Sequence, residues 1–267
     1  MDFYKYEGTG NDFVIIDDRD FKFPTADIAL VAKLCNRRFG IGADGLILLQ
    51  EKAGLPYMKY YNSDGQESTM CGNGGRCFAR FMHELGTIGE EAFFEAIDGI
   101  HAVKLDFNSQ QVALKMIDVT QITALEEGVY ELNTGSPHYV QFKSENVKEL
   151  PIVELAKAIR YNSNYGESGI NVNFANLVGL KEIAIRTYER GVEDETLSCG
   201  TGATAVALAA AKFIGLPEGN HALAVKVEGG DLTIRFYYDE NKGQFSNIWL
   251  VGPANQVFKG KIDLKIS

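Results

Sequence analysis

One stretch of the sequence occurs twice in kind. Met70-Cys71-Gly72-Asn73-Gly74-Gly75 returns as Ser198-Cys199-Gly200-Thr201-Gly202-Ala203. Both copies follow extended-looking segments, and both open stretches of helical length. A strand-to-helix junction repeated at this distance predicts two similar halves, each built around its own central helix. The helices carry little polarity. Residues 205–211 are apolar throughout, which predicts burial on most sides.

The rest of the chain reads as strands. Residues 13–16, 46–49, 57–61, 102–105, 112–116, 183–186 and 232–236 are short apolar or alternating runs bounded by Gly, Asn or Asp. Four helices interrupt them. One follows Pro24, with Thr25 as its N-cap, and ends near Gly40. A second starts at Cys71-Gly72 and ends at Gly86. A third spans about 152–161. The fourth starts at Cys199-Gly200 and ends at Gly215, before Pro217. The pattern predicts an α+β fold of two pseudo-symmetric lobes, each a curved, mainly antiparallel sheet wrapped around a central helix. The N-terminal lobe, 1–117, carries Cys71. The C-terminal lobe, 118–253, carries Cys199, and 254–267 return to the first lobe.

At 267 residues the chain is long enough for two cores. Its net charge of −10, with no run of Lys or Arg, argues against a nucleic-acid partner. Met1-Asp2-Phe3-Tyr4-Lys5 does not lead from basic residues into an apolar stretch. The longest apolar run, about 203–214, is too short to cross a bilayer. A cytoplasmic protein without a membrane partner is expected. The four cysteines contain no Cys-x-x-Cys pair, so a zinc or disulfide-exchange site has little support. They are expected to be free thiols.

A cysteine at a helix N-terminus meets N–H groups that have no partner within the helix, together with the positive end of the dipole. Its thiolate is stabilised, and the thiol pKa falls from about 8.5. Nearby glycines allow close backbone approach, and the exposed N–H groups suit a carboxylate. Two such ends can supply two thiols to one carbon from opposite sides. One thiolate would remove an α-proton while the other thiol protonates the opposite face. Hydrogen bonds to the substrate carboxylate would stabilise the carbanion. A single cysteine of this kind is open to a packing explanation. Two matching ones favour chemistry. Cys35 and Cys77 lie within helices among core-type neighbours and read as small buried hydrophobes.

The segments Gly8-Thr9-Gly10-Asn11-Asp12-Phe13, Asn62-Ser63-Asp64-Gly65, Cys71-Gly72-Asn73-Gly74-Gly75-Arg76-Cys77, Tyr188-Glu189-Arg190-Gly191 and Cys199-Gly200-Thr201-Gly202 resemble the signatures of diaminopimelate epimerase, in that family's order. The resemblance implies interconversion of L,L- and meso-diaminopimelate, on the route to lysine and peptidoglycan precursors. It implies no pyridoxal phosphate, no metal, the two-lobed fold and a homodimer. Under it, Cys71 and Cys199 are the acid/base pair. Asn11, Asn62 and Asn171 are substrate ligands. Gly72-Asn73 and Gly200-Thr201 are the carboxylate-holding helix ends, and Glu189 and Arg190 are the family's Glu-Arg pair. His138, in Gly135-Ser136-Pro137-His138, matches a histidine near the thiols. His138 and Glu189 are each expected to hydrogen-bond a thiol and tune its protonation. Ser136 departs from the family, which commonly has asparagine there to bind the distal end of the substrate. Serine has a hydroxyl with shorter reach.

Other features have plainer readings. Gly8-Thr9-Gly10 lacks the third glycine of a dinucleotide fingerprint, and no phosphate loop is present. Arg37-Arg38 reads as a solvated helix end. Asp44 reads as a turn residue in a loop that the resemblance sets beside the substrate. A proline or hydroxyproline racemase-like enzyme is the nearest alternative, opposed by Tyr188-Glu189-Arg190-Gly191 and Asn11-Asp12-Phe13. The related phenazine-biosynthesis isomerases lack the cysteine pair. A silent amino-acid-binding module would not need the thiols.

Overall fold

A computed structural model describes residues 1–106 and 109–263. In chain order its elements are β1 (Asp2–Gly8), β2 (Asn11–Asp17), α1 (Ile28–Cys35), β3 (Gly45–Lys52), β4 (Leu55–Asn62), α2 (Gly72–Glu84), β5 (Glu91–Ala96), β6 (Gly99–Asp106), β7 (Gln111–Lys115), β8 (Ile122–Glu126), β9 (Val129–Asn133), β10 (Pro137–Phe142), α3 (Ile152–Arg160), β11 (Asn171–Gly179), β12 (Glu182–Glu189), β13 (Asp194–Thr196), α4 (Gly200–Phe213), β14 (Gly219–Val227), β15 (Gly230–Asp239), β16 (Gln244–Pro253) and β17 (Asn255–Lys261). The chain divides into two compact units. One holds residues 1–114 and the segment from Gly252, and the other is Lys115–Val251.

Both units follow one plan. In the first, β1 and β2 pair antiparallel, and α1 crosses over to β3, which lies parallel to β2. A hairpin leads to β4, and α2 crosses over to β5, parallel to β4. In the second, β9 and β10 pair antiparallel, and α3 crosses over to β11, parallel to β10. A hairpin leads to β12, and the chain passes through β13 and α4 to β14, parallel to β12. Antiparallel strands follow in each: β5–β6–β7 and β14–β15–β16. β17 joins the first unit by pairing antiparallel with β1.

Each sheet curves around one helix. α2 packs against β1, β2, β3, β6 and β17, and α4 packs against β9, β10, β11, β12, β14 and β15. β3 illustrates how the sequence allows this. Residues 46–49 are all buried because both faces of the strand are covered. Leu46 and Leu48 join Leu30, Val31 and Leu34 of α1 in one apolar cluster. Ile47, on the other face, points at α2, where a Cβ on Gly74 would stand 3.3 Å from Ile47 Cδ1. α2 therefore presents glycine where it meets the strand. α4 presents alanine, and residues 203–211 are buried all the way along.

α1 is shorter than the sequence suggests. Its N-cap is Asp27, whose carboxylate accepts from Leu30 N at 2.9 Å, and not Thr25. Its helical residues stop at Cys35, well before Gly40. Asn36 adopts an extended conformation, and its side-chain oxygen accepts from Arg38 N and Phe39 N, both at 2.9 Å. This Asx turn competes successfully with another helical turn. Gly40 then packs on the helix end, where a Cβ would lie 2.0 Å from Lys33 O.

Candidate active site

Cys71 is the N-cap of α2. Its backbone is extended, at φ −90° and ψ 131°, and no side chain caps the first turn. Cys71 O accepts the Gly75 N–H at 2.7 Å. Asn11, at the start of β2, brings its Oδ1 to 3.5 Å from Cys71 Sγ and 3.4 Å from Asn73 Nδ2. Under the turn lies Arg76, whose guanidinium is fully buried and donates to Gly72 O at 3.4 Å and Thr9 Oγ1 at 3.3 Å.

Asn11 is held by Asp44, whose Oδ2 accepts from its Nδ2 at 2.6 Å. Arg37 bridges the same loop. It donates to both oxygens of Asp12, at 2.7 and 2.9 Å, and to Asp44 Oδ1 at 2.7 Å. Lys5 completes the cluster at 2.7 Å from Asp12. Burial alone would raise the Asp12 pKa, but hydrogen bonds from Arg37 and Lys5 outweigh it and hold the carboxyl well below the usual range. Arg37, exposed just past the end of α1 as expected, is in addition an anchor of the loop carrying Asp44. Asn62 ends β4 opposite Gly45, exposed and with no side-chain hydrogen bond among the described residues.

In the second unit Cys199 caps α4 in the same way. It is extended, at φ −118° and ψ 111°, again with no side-chain cap. Glu189, the last residue of β12, accepts hydrogen bonds from Thr196 Oγ1 at 3.1 Å and from the Cys199 thiol. Burial raises its pKa, and these two donors partly offset the rise.

His138 reaches the sulfur at one remove. Its Nε2 lies 2.9 Å from Thr201 Oγ1, and that hydroxyl lies 3.4 Å from Cys199 Sγ. Its Nδ1 lies 3.1 Å from Asn173 Nδ2. The expected direct bond from His138 to a thiol is replaced by this path, because Thr201 occupies the space between them. Complete burial, with a smaller push from the Arg190 charge, lowers the His138 pKa to about 3. The ring is neutral at physiological pH.

Asn171 pairs with His138 across the parallel β10–β11 ladder. Its Nδ2 donates to Ser136 Oγ at 2.7 Å and Pro137 O at 2.9 Å, and its Oδ1 accepts from Arg190 N at 2.9 Å. Arg190 in turn donates to Ser168 O at 2.9 Å. Ser136 therefore enters the same network through Asn171. Thr134 Oγ1 donates to Thr201 O at 2.9 Å, fastening this loop to the start of α4.

Burial pushes the Cys35 thiol up to about 12, and it raises Cys77 as well. Both suit packing and not proton transfer at neutral pH. Among the described residues no group of three or more His, Cys, Asp or Glu is arranged to hold a metal ion, and no helix is long and apolar enough to cross a membrane. Sequence reasoning missed Arg37, Asn173 and Thr196. Arg37 lay in plain view as a cation near an Asp-rich loop. The other two depend on strand register, which leaves no local mark.

The model of the diaminopimelate epimerase family matches residues 3–120 and 130–257. A diaminopimelate epimerase from Flavobacterium psychrophilum is 48% identical over 98% of this chain and 100% of its own length. One from Aquifex aeolicus is 36% identical over 100% of this chain and 99% of its own. Among solved structures, a phenazine biosynthesis protein of the PhzF family from Bacillus anthracis superposes with a TM-score of 0.72 over 98% of each chain, at 14% identity. At that identity it speaks for the fold alone. Family match and full-length identity together lead to one conclusion: this chain belongs to the diaminopimelate epimerase family.

Proposed function

We propose that the chain interconverts L,L- and meso-diaminopimelate by passing an α-proton between Cys71 and Cys199, in the making of lysine and peptidoglycan precursors. The observation that carries this reading is the uncapped helix start with a cysteine at its N-cap, present once in each unit. One thiolate takes the α-proton, and the other thiol protonates the opposite face. Negative charge then develops on the substrate carboxylate. First-turn N–H groups of α2 and α4, around Gly72, Asn73, Gly200 and Thr201, donate to it. Glu189 can receive the Cys199 proton, since burial already favours its protonated form. Asn11 Oδ1 accepts from the Cys71 thiol.

Asn62, with its side chain uncommitted, is a substrate ligand in this scheme. Asn171 retains one lone pair on Oδ1 after accepting from Arg190 N. Ser136 Oγ accepts from Asn171 and keeps its own proton for the distal end of the substrate, next to Arg190. The same reading makes the enzyme a cytoplasmic homodimer acting on a free small molecule, without nucleic acid. The net charge of −10 and the family resemblance support it, and light scattering tests the dimer.

The deciding experiment is proton NMR of L,L-diaminopimelate in deuterated water with the reduced protein and nothing added. The expected result is meso isomer carrying deuterium at one α-carbon. Exchange of proline derivatives in its place would move the chain to the racemase reading. No exchange with any amino acid would leave a binding module.

A further inference from the structure

We infer that Asn173 is a positioning residue that fixes the tautomer of His138 and, through Thr201, aims a hydroxyl proton at the Cys199 sulfur. The inference rests on the proposed role of Cys199 for its importance, though not for its geometry.

The argument begins at a backbone carbonyl, which can only accept. Tyr139 O lies 2.9 Å from one end of the Asn173 carboxamide, so that end is the nitrogen. Its oxygen faces the other way and accepts from Thr187 Oγ1 at 2.9 Å. The amide nitrogen carries two hydrogens. One goes to Tyr139 O, and the other points at His138 Nδ1, 3.1 Å away. Nδ1 must therefore offer a lone pair. With the ring neutral, its single N–H sits on Nε2. That N–H donates to Thr201 Oγ1 at 2.9 Å. The thiol proton of Cys199 goes to Glu189, so the sulfur accepts at its other contact, and the Thr201 hydroxyl directs its own proton to Cys199 Sγ at 3.4 Å.

A hydrogen bond aimed at sulfur favours the thiolate over the thiol. On its other side Cys199 has Glu189, which accepts the thiol proton. The sulfur thus has a prepared partner in each protonation state. Gly202 belongs to the same device. A Cβ there would stand 2.6 Å from Asn173 Oδ1 and 3.3 Å from Cys199 Sγ. The second glycine of the Cys-Gly-x-Gly junction makes room for the asparagine that orients the histidine.

Two measurements test this, and neither needs substrate. The first is nitrogen-15 NMR of the His138 ring, assigned with variants replacing His83, His101 and His221 in turn. Wild-type protein should have a bare Nδ1 and a protonated Nε2. Asn173→Asp, whose carboxylate can only accept, should reverse them. The second is site-resolved alkylation of Cys199 by iodoacetamide against pH, read by mass spectrometry with Cys71 as internal reference. In Thr201→Val the Cys199 midpoint should rise by about one to two pH units, and in Thr201→Ser it should stay near wild type. A protonated Nδ1 in wild type, or an unmoved midpoint in Thr201→Val, overturns the inference. If Asn173→Asp does not fold, the wild-type spectrum and the Thr201 pair still decide. A protein without epimerase activity that passes both tests would refute the proposed function and leave the proton path standing.

Discussion

Asp44 accepts from Asn11 Nδ2 at 2.6 Å, and that bond determines which end of the Asn11 amide faces Cys71. With nitrogen toward the carboxylate, oxygen turns to the sulfur at 3.5 Å. Asp44→Asn removes this preference and lets the amide rotate. The Asp44 side chain is 43% exposed, so screening reduces the bond to about 1 kcal/mol. We expect kcat/KM to fall about fivefold, with a melting temperature lower by no more than about 2–4 °C as the Arg37 contact weakens. A large fall in stability with unchanged kinetics would show that Asp44 serves the loop only.

Each thiol should be indispensable. Cys71→Ala and Cys199→Ala should each lower epimerisation by at least about 10³-fold, since a positioned acid or base is worth roughly 10²–10⁴ and each face needs its own. Isomer ratios followed by chiral chromatography check this. Substantial turnover in either variant would refute the two-base scheme.

Neutral His138 makes a prediction about acid stability. Its pKa in the folded protein, about 3, lies below the ordinary 6.5. Well above pH 6.5 neither state binds the proton and the residue adds no slope. As pH falls from 6.5 toward 3, the unfolded chain gains a proton that the folded chain refuses, so stability is lost. The loss should reach about 2 kcal/mol by pH 5. Urea unfolding at pH 7 and pH 5 should show this difference in wild type and a smaller one in His138→Gln. The pH–rate profile should contain no limb from His138.

Gly202→Ala should be costly, because its new Cβ meets an asparagine oxygen already held by Thr187. Overpacking of this kind costs about 1–3 kcal/mol, or roughly 2–4 °C of melting temperature for each kcal/mol. Gly89→Ala, which meets open space, should stay within about 0.5 kcal/mol. Equal effects at the two positions would remove the steric argument.

Thiol reactivity should divide the cysteines. At neutral pH iodoacetamide should modify Cys71 first, Cys199, which is only 7% exposed, more slowly, and spare Cys35 and Cys77, whose thiols burial holds protonated. Peptide mapping before and after denaturation reads this directly. Labelling of Cys35 in the native protein would contradict its burial.

The two cysteine junctions are legible in the sequence because each combines an extended segment, a Cys-Gly-x-Gly and an apolar run. These are local signals, and α2 and α4 begin where they point. The end of α1 is harder to read. Its residues allow another turn, and only the Asx turn at Asn36 stops it. The second role of Arg37 is hidden for a related reason. Its partners Asp12 and Asp44 reach it through the parallel β2–β3 pairing, which local pattern does not reveal. Asn173 and Thr196 are silent in sequence for the same cause. Asn173 meets Thr187 across β11 and β12, and Thr196 sits opposite Thr187 in the next strand. Their roles exist only once the register does.

The pairing of β17 with β1 has a consequence for synthesis on the ribosome. β1 is made before Lys115–Val251, and its partner β17 is made after it. Ile262 N donates to Met1 O at 2.9 Å, and the Met1 ammonium returns a bond to Ile262 O at 2.7 Å. At about 5–20 residues per second, translating the whole of Lys115–Val251 takes on the order of ten seconds. During that interval the second unit can acquire its complete sheet, while the first waits with the outer edge of β1 unpaired. An open edge of this kind is a template for association between nascent chains. Chaperone dependence in this protein should therefore track the unit that contains β1, although most of it emerges before the other.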